Sequence, residues 1–252
     1  MITMPNEETH ISRMSFGEHL EELRKRLIYA LIGVAITVSG CLVIGRSILH
    51  WLCIPLFDAQ KVLNQDIQII TLGPAEAFGV YMKVSIISGL VIAAPWLLYQ
   101  LWCFVAAGLY HHEKRAVYIL VPFSSVMVGV AIGFMYYLML PICLKFFLQF
   151  AQTIENLQTT PRVGEYIRFV LYLAMGIVIG FQLPVAMMVG GWAGIIDANW
   201  LAQYRGHSLL ACSIAGAVLT PSDPVSMLIL AIPLYALFEL GLVLVRIVAP
   251  KK

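Results

Sequence analysis

Polar and apolar positions along this chain segregate into long blocks instead of alternating with every helical turn. Charge-free runs cover residues 27–45, 84–112, 116–144 and 169–196, and each supplies the roughly 20 apolar residues that a helix needs to cross a bilayer. Two shorter runs, 206–220 and 225–238, flank the breaker-rich Pro221-Ser-Asp-Pro224, which predicts a fifth and a sixth span joined by a tight turn. A span of about 15 residues reaches only about 22 Å against roughly 30 Å of hydrocarbon. The bilayer is therefore expected to thin beside this last pair. A re-entrant hairpin is the alternative, but the final run can continue past Glu239 to Val245, which favours two full crossings.

The expected fold is an all-α integral membrane protein: six transmembrane helices in a kinked bundle, the last two short. Pro95, Pro122, Pro184 and Pro233 punctuate the spans, and each removes a backbone donor and bends or stiffens its helix. The domain reading is a cytoplasmic tail with an amphipathic helix over 1–26, a membrane domain over 27–246 and a short cytoplasmic tail over 247–252. Basic residues give the orientation. Arg13, Arg24, Lys25, Arg26, Lys114, Arg115, Arg205, Arg246, Lys251 and Lys252 fall on one side, against Arg46, Lys61, Lys83, Lys145, Arg162 and Arg168 on the other. The larger set marks the cytoplasm and puts both termini inside.

Composition agrees with the pattern: 60% of residues are hydrophobic and 12% charged, far from the roughly 25% charge of soluble domains. A net charge of +2 with no basic stripe argues against a nucleic-acid partner. The first apolar run has no small-residue cleavage site, so it is expected to be retained as a helix. The five cysteines are isolated, without metal-ligand spacing; only Cys53 and Cys143 are placed to meet. His111 and His112 are adjacent, so they point to different faces. No metal and no cofactor are expected.

Candidate chemistry lies in the polar segments. Ser15-Phe-Gly-Glu18 has the capping-box form. After it, Phe16, Leu20, Leu23 and Leu27 form an apolar stripe, while Glu21–Lys25 and Glu22–Arg26 are favourable i,i+4 pairs. This predicts an amphipathic helix on the membrane surface running into the first span; a plain solvated anchor would read the same way. The segment 99–115 after the second span, read as a cytoplasmic connection, is rich in aromatics and carries one carboxylate, Glu113. Gln182, beside Pro184, is the most deeply placed polar residue, and such groups face the bundle interior or a partner. Glu239 sits seven residues before Arg246 on the same helix face, so pairing competes with function as its explanation. Asp223 is placed to cap the last helix.

These segments resemble the TatC family over about residues 15–246. The residues that carry the resemblance are Glu18-His-Leu-Glu-Glu-Leu-Arg-Lys-Arg26, Tyr99-Gln-Leu-Trp102 with Phe104 and Gly108-Leu-Tyr-His-His-Glu-Lys114, Leu183-Pro-Val185 and Leu219-Thr-Pro-Ser-Asp223. The resemblance implies the signal-peptide-reading core of a twin-arginine export machine in the bacterial inner membrane, assembled with TatA- and TatB-like single-span proteins into a higher oligomer and driven by the proton-motive force. It implies no enzymatic activity. It assigns signal-peptide binding to Glu22, Leu23, Arg24, Phe104, Tyr110 and Glu113, and partner or structural roles to Pro55, Pro95, Gln182, Thr220, Asp223 and Glu239. The chain departs from the family at Ala107, where many members have proline, at Gln182, where others have glutamate, and at Met227, which replaces a polar residue of some relatives. A six-span small-molecule or ion transporter is the alternative, but it calls for coupled acids and bases near mid-membrane, which the sequence lacks.

Overall fold

The structure, a computed structural model, describes residues 16–63, 69–108, 114–153, 160–192, 194, 196–220 and 224–248. In chain order the helices are α1 (Phe16–Val62), α2 (Pro74–Gly108), α3 (Lys114–Phe134), a π turn (Met135–Met139), α4 (Leu140–Gln152), α5 (Val163–Gly180), α6 (Leu183–Trp192), α7 (Ala198–Gln203), α8 (Arg205–Leu219) and α9 (Pro224–Val248). Five helical stretches are long and apolar enough to cross a membrane: Gly17–Val62, Pro74–Val105, Ile119–Gln152, Val163–Trp192 and Pro224–Val248. The expected fifth span, α8, has 15 residues and falls short of that length.

Two expectations need correction. The final helix is not short: α9 has 25 residues and passes through Glu239 to Val248. A charge interrupts its apolar run without breaking the helix, because Arg205 and Tyr235 satisfy the Glu239 carboxylate. The segment 99–115 is not a connection throughout, since α2 continues to Gly108. No proline interrupts residues 99–108, and Ala107, the best helix former, stands in the last turn.

α1 and α2 pack as an antiparallel pair in fixed register. Trp96 Nε1 donates to the Tyr29 carbonyl at 2.9 Å, and Tyr81 donates to the Leu42 carbonyl. Between them Gly89 lies so close to α1 that a Cβ would sit 2.7 Å from Val38 Cα and 3.0 Å from its nitrogen. The first part of α1 is otherwise peripheral and only its end, at Leu52, Leu56 and Ala59, enters the core, whereas α5 runs through the centre of the bundle, with Val170, Leu173 and Ile177 fully buried in one cluster with Met139, Leu140 and Cys143. Cys53 and Cys143 belong to that same apolar cluster as thiols, not as a disulfide.

Connections at the end of the bundle away from the first turns of α1 are tied to each other. Ile70 N–H donates to the Pro161 carbonyl at 3.1 Å and Val163 N–H to the Ile70 carbonyl at 2.9 Å, forming a one-residue parallel bridge between the approaches to α2 and α5. Glu76, in the first turn of α2, accepts from Leu72 N–H at 2.6 Å and from the Thr71 hydroxyl at 3.3 Å.

Pro55 lies inside α1 and so cannot donate to the Trp51 carbonyl one turn earlier; an interior proline also distorts the neighbouring bond. Two buried tyrosines from other helices take over. Tyr136 of the π turn donates to Trp51 O at 3.0 Å, and Tyr166 of α5 donates to Leu52 O at 2.6 Å. The kink is thus held by side chains over 80 residues away in sequence. Tyr136→Phe is expected to lower stability by about 1 kcal/mol or more, since a carbonyl in an apolar setting loses its donor. In a Pro55→Ala background the cost should shrink, because a backbone N–H again reaches Trp51 O. Equal losses of thermal stability in both backgrounds would refute this account.

Candidate functional site

The N-terminal turns of α1 and the last turns of α2 meet at one end of the bundle, and they bring together residues 80 positions apart. His19 stacks on Phe104 with ring centroids 4.6 Å apart. One turn further along, Arg26 Nε donates to Glu22 Oε1 at 2.6 Å, and its Nη1 donates to Gln100 Oε1 at 3.3 Å. Gln100 is buried on α2, so it anchors the guanidinium, and the guanidinium fixes Glu22. The Glu22 side chain remains 22% exposed. Its second oxygen takes no donor from the described residues.

His19, Glu22 and Arg26 follow helical spacing and form the half-buried edge of α1 that packs on α2. The apolar stripe turns the other way, with Leu20, Leu23 and Leu27 being 51%, 43% and 57% exposed. Arg24 is exposed as well. Of the two expected i,i+4 pairs, Glu22–Arg26 forms and Glu21–Lys25 does not. Tyr110 and Glu113 lie outside the described residues, as do His111, His112 and Asp223. α1 passes residue 26 without a break, so the amphipathic turns and the first span are one helix of 47 residues.

Of the expected site residues, Glu22 and Phe104 stand on facing turns of α1 and α2, linked through His19, Arg26 and Gln100, whereas Leu23 and Arg24 are exposed and contribute no contact to that pairing. His19, Gln100 and Arg26 are the members that the sequence reading did not single out, although the i,i+4 spacing from Glu22 to Arg26 was a visible cue.

Elsewhere the predicted residues occupy structural positions. Pro95 is half-buried within α2. Gln182 sits where α5 breaks into α6, with its Nε2 donating to the Ser124 carbonyl at 3.3 Å; its buried Oε1 has no partner among the described residues. Thr220 ends α8, its hydroxyl donating to Gly216 O at 2.8 Å. Glu239 pairs with Arg205, not with Arg246 as its spacing suggested: Arg205 Nε and Nη2 reach its two oxygens at 2.8 and 2.9 Å, and Tyr235 donates at 2.9 Å. Arg205 and Glu239 each stand 17 residues from Ser222, so an antiparallel hairpin necessarily sets them opposite one another. Among the described residues, no three His, Cys, Asp or Glu side chains converge as metal ligands would.

Residues 18–233 match the sequence model of the family described as Sec-independent protein translocase protein (TatC). The chain is 33% identical over 233 residues to the Sec-independent protein translocase protein TatC of Haemophilus influenzae, covering 92% of this chain and 89% of that one. Its identity to the protein of the same description from Escherichia coli strain K12 is 36% over 224 residues, with 88% and 84% covered. For that of Aquifex aeolicus the figures are 34% over 241 residues, 95% and 98%. Among solved structures, a crystal structure described as the twin arginine translocase receptor TatC superposes with a TM-score of 0.79 at 32% identity, covering 92% of this chain and 99% of that one.

Proposed function

The chain belongs to the Sec-independent protein translocase (TatC) family, a transport component and not an enzyme of the ordinary kind, and on that premise we propose that it is the subunit that reads twin-arginine signal peptides. The observation that carries this reading is the pairing of α1 and α2 that holds Glu22 through Arg26, itself anchored by Gln100, one turn from His19, which stacks on Phe104. A guanidinium offers a planar fork of donors to a carboxylate, while a lysine ammonium is a compact point charge. A carboxylate held still by its neighbours therefore favours arginine over lysine. Phe104 supplies an aromatic wall that excludes water and on which a guanidinium can stack. Glu113 and Tyr110 complete the site, with Leu23 and Arg24 bordering it.

In this reading the chain lies in the bacterial cytoplasmic membrane with six spans and both termini inside. Residues 27–246 form the membrane domain between the cytoplasmic segments 1–26 and 247–252. Its partners are TatA- and TatB-like single-span proteins, the complex is a higher oligomer, and folded cargo crosses at the expense of the proton-motive force. α8, at 15 residues, is the fifth crossing and thins the bilayer beside it; spin labels at its two ends reporting normal membrane thickness there would remove this assignment.

The direct test places photo-crosslinkers at Phe104 and beside Glu22 and presents membranes with a twin-arginine peptide or its twin-lysine counterpart. Arginine-dependent crosslinking at both positions is the expected result. Equal crosslinking of the two peptides, or none, would reject the receptor role.

A further inference from the structure

At the opposite end of α1, a lateral groove of about 480 Å³ runs between the Pro55 kink and the wall formed by the π turn and the start of α4. Its position follows from the chain. Its α1 wall, from Trp51 to Val62, lies beyond the charge-free run that ends at residue 45, and its facing wall runs from Tyr136 inside the third run to the charge at Lys145 just past it, so the groove leads from hydrocarbon toward water. Trp51, Tyr136 and Tyr137 line it, as aromatic side chains do at headgroup depth. Tyr137 is 77% exposed and opens toward the surroundings.

Two opposite charges face this space. Asp58 lies on the α1 wall and Lys145 on the α4 wall. Lys145 makes no ion pair among the described residues. Asp58 has only Lys61, at 3.4 Å with both side chains more than half exposed, a contact that water screens and that competes weakly with a ligand. An apolar floor with one acid and one base on facing walls is complementary to a zwitterion that also carries hydrocarbon. We propose that this groove binds a zwitterionic phospholipid with a primary ammonium in its headgroup, the phosphodiester toward Lys145 and the ammonium toward Asp58.

Hydrogen bonding to Asp58, more than ring contact, selects the primary ammonium over a quaternary one. A quaternary cation is held by open ring faces. Here Trp51 and Tyr136 stack on each other with centroids 3.8 Å apart, and Tyr137 meets Tyr136 edge-on at 5.1 Å. The stack covers one face of Trp51 and one of Tyr136, and the Asp58 carboxylate accepts the N–H donors that only a primary ammonium carries. This site is separate from the signal-peptide surface and stands or falls independently of it.

The test is native mass spectrometry of the full chain in detergent, titrated with phosphatidylethanolamine, phosphatidylglycerol or phosphatidylcholine. Phosphatidylethanolamine should be retained about tenfold better than either competitor, the effect of one charge-assisted hydrogen bond. Asp58→Asn should erase its advantage over phosphatidylglycerol, and Lys145→Gln should weaken both. Soluble glycerophosphoethanolamine at the same concentration should fail to displace the lipid. Equal retention of the three lipids, or indifference to both substitutions in protein with an unchanged melting temperature, would overturn the proposal. Full displacement by the soluble headgroup would overturn the choice of a lipid as ligand.

Discussion

Glu22→Ala is expected to lower affinity for a twin-arginine peptide by about 2 kcal/mol, roughly thirtyfold, and to change affinity for the twin-lysine version far less. Two effects add. The substitution removes the carboxylate that accepts the guanidinium fork, and it frees Arg26, whose charge Glu22 balances at 2.6 Å. The released guanidinium, still anchored by Gln100, then repels the incoming arginines. Adding Arg26→Gln to Glu22→Ala should therefore recover part of the loss, a sign that simple damage to the helix would not give. Glu113→Ala is expected to abolish capture while leaving the protein inserted. Peptide titration by fluorescence anisotropy on purified protein measures both, and wild-type affinity in either single variant would withdraw that residue from the site.

The second large effect concerns packing. At Gly89 even a methyl group would lie 2.7 Å from both Val38 Cα and Val38 Cγ2, and the first of these belongs to backbone, which cannot rotate away. Gly89→Ala should cost at least the 1–3 kcal/mol typical of overpacking, and Gly89→Leu should separate α1 from α2. The recognition surface depends on that pairing, since His19 and Phe104 come from the two different helices. Both variants should lose thermal stability, with peptide binding declining in step. A Gly89→Leu protein that melts like the wild type would show that the close approach is not maintained in solution.

The long apolar helices were legible in the sequence because bilayer thickness imposes a minimum length on any apolar crossing, and five of the six predicted runs became the cores of such helices. Helix ends were not. Apolar runs stop at the first charge, whereas helices continue as long as the backbone is hydrogen-bonded and the charge finds a partner, as Glu239 does in α9. For the candidate site, the sequence carried the acid and the aromatic but not their apposition. Glu22 and Phe104 are neighbours only because α1 and α2 pair in a particular register, which Gly89 and Trp96 set. Gln100 looked like one polar residue among aromatics, and its importance rests on its burial against Arg26. The roles of Tyr136 and Tyr166 were invisible for a similar reason: a proline announces a missing donor but not who replaces it.

α1 is one uninterrupted rod from the peptide-facing turns to the Pro55 kink, a distance of about 50 Å at the rise of an α-helix. Val38, pressed against Gly89, lies 16 residues from Glu22 and 17 from Pro55, close to the midpoint. The helix therefore has the mechanics of a lever with a central fulcrum: a tilt of about 5° carries each end about 2 Å, in opposite directions. A tilt at the Glu22 end would therefore have to strain the Tyr136 and Tyr166 hydrogen bonds that hold α1 beside the groove at its far end.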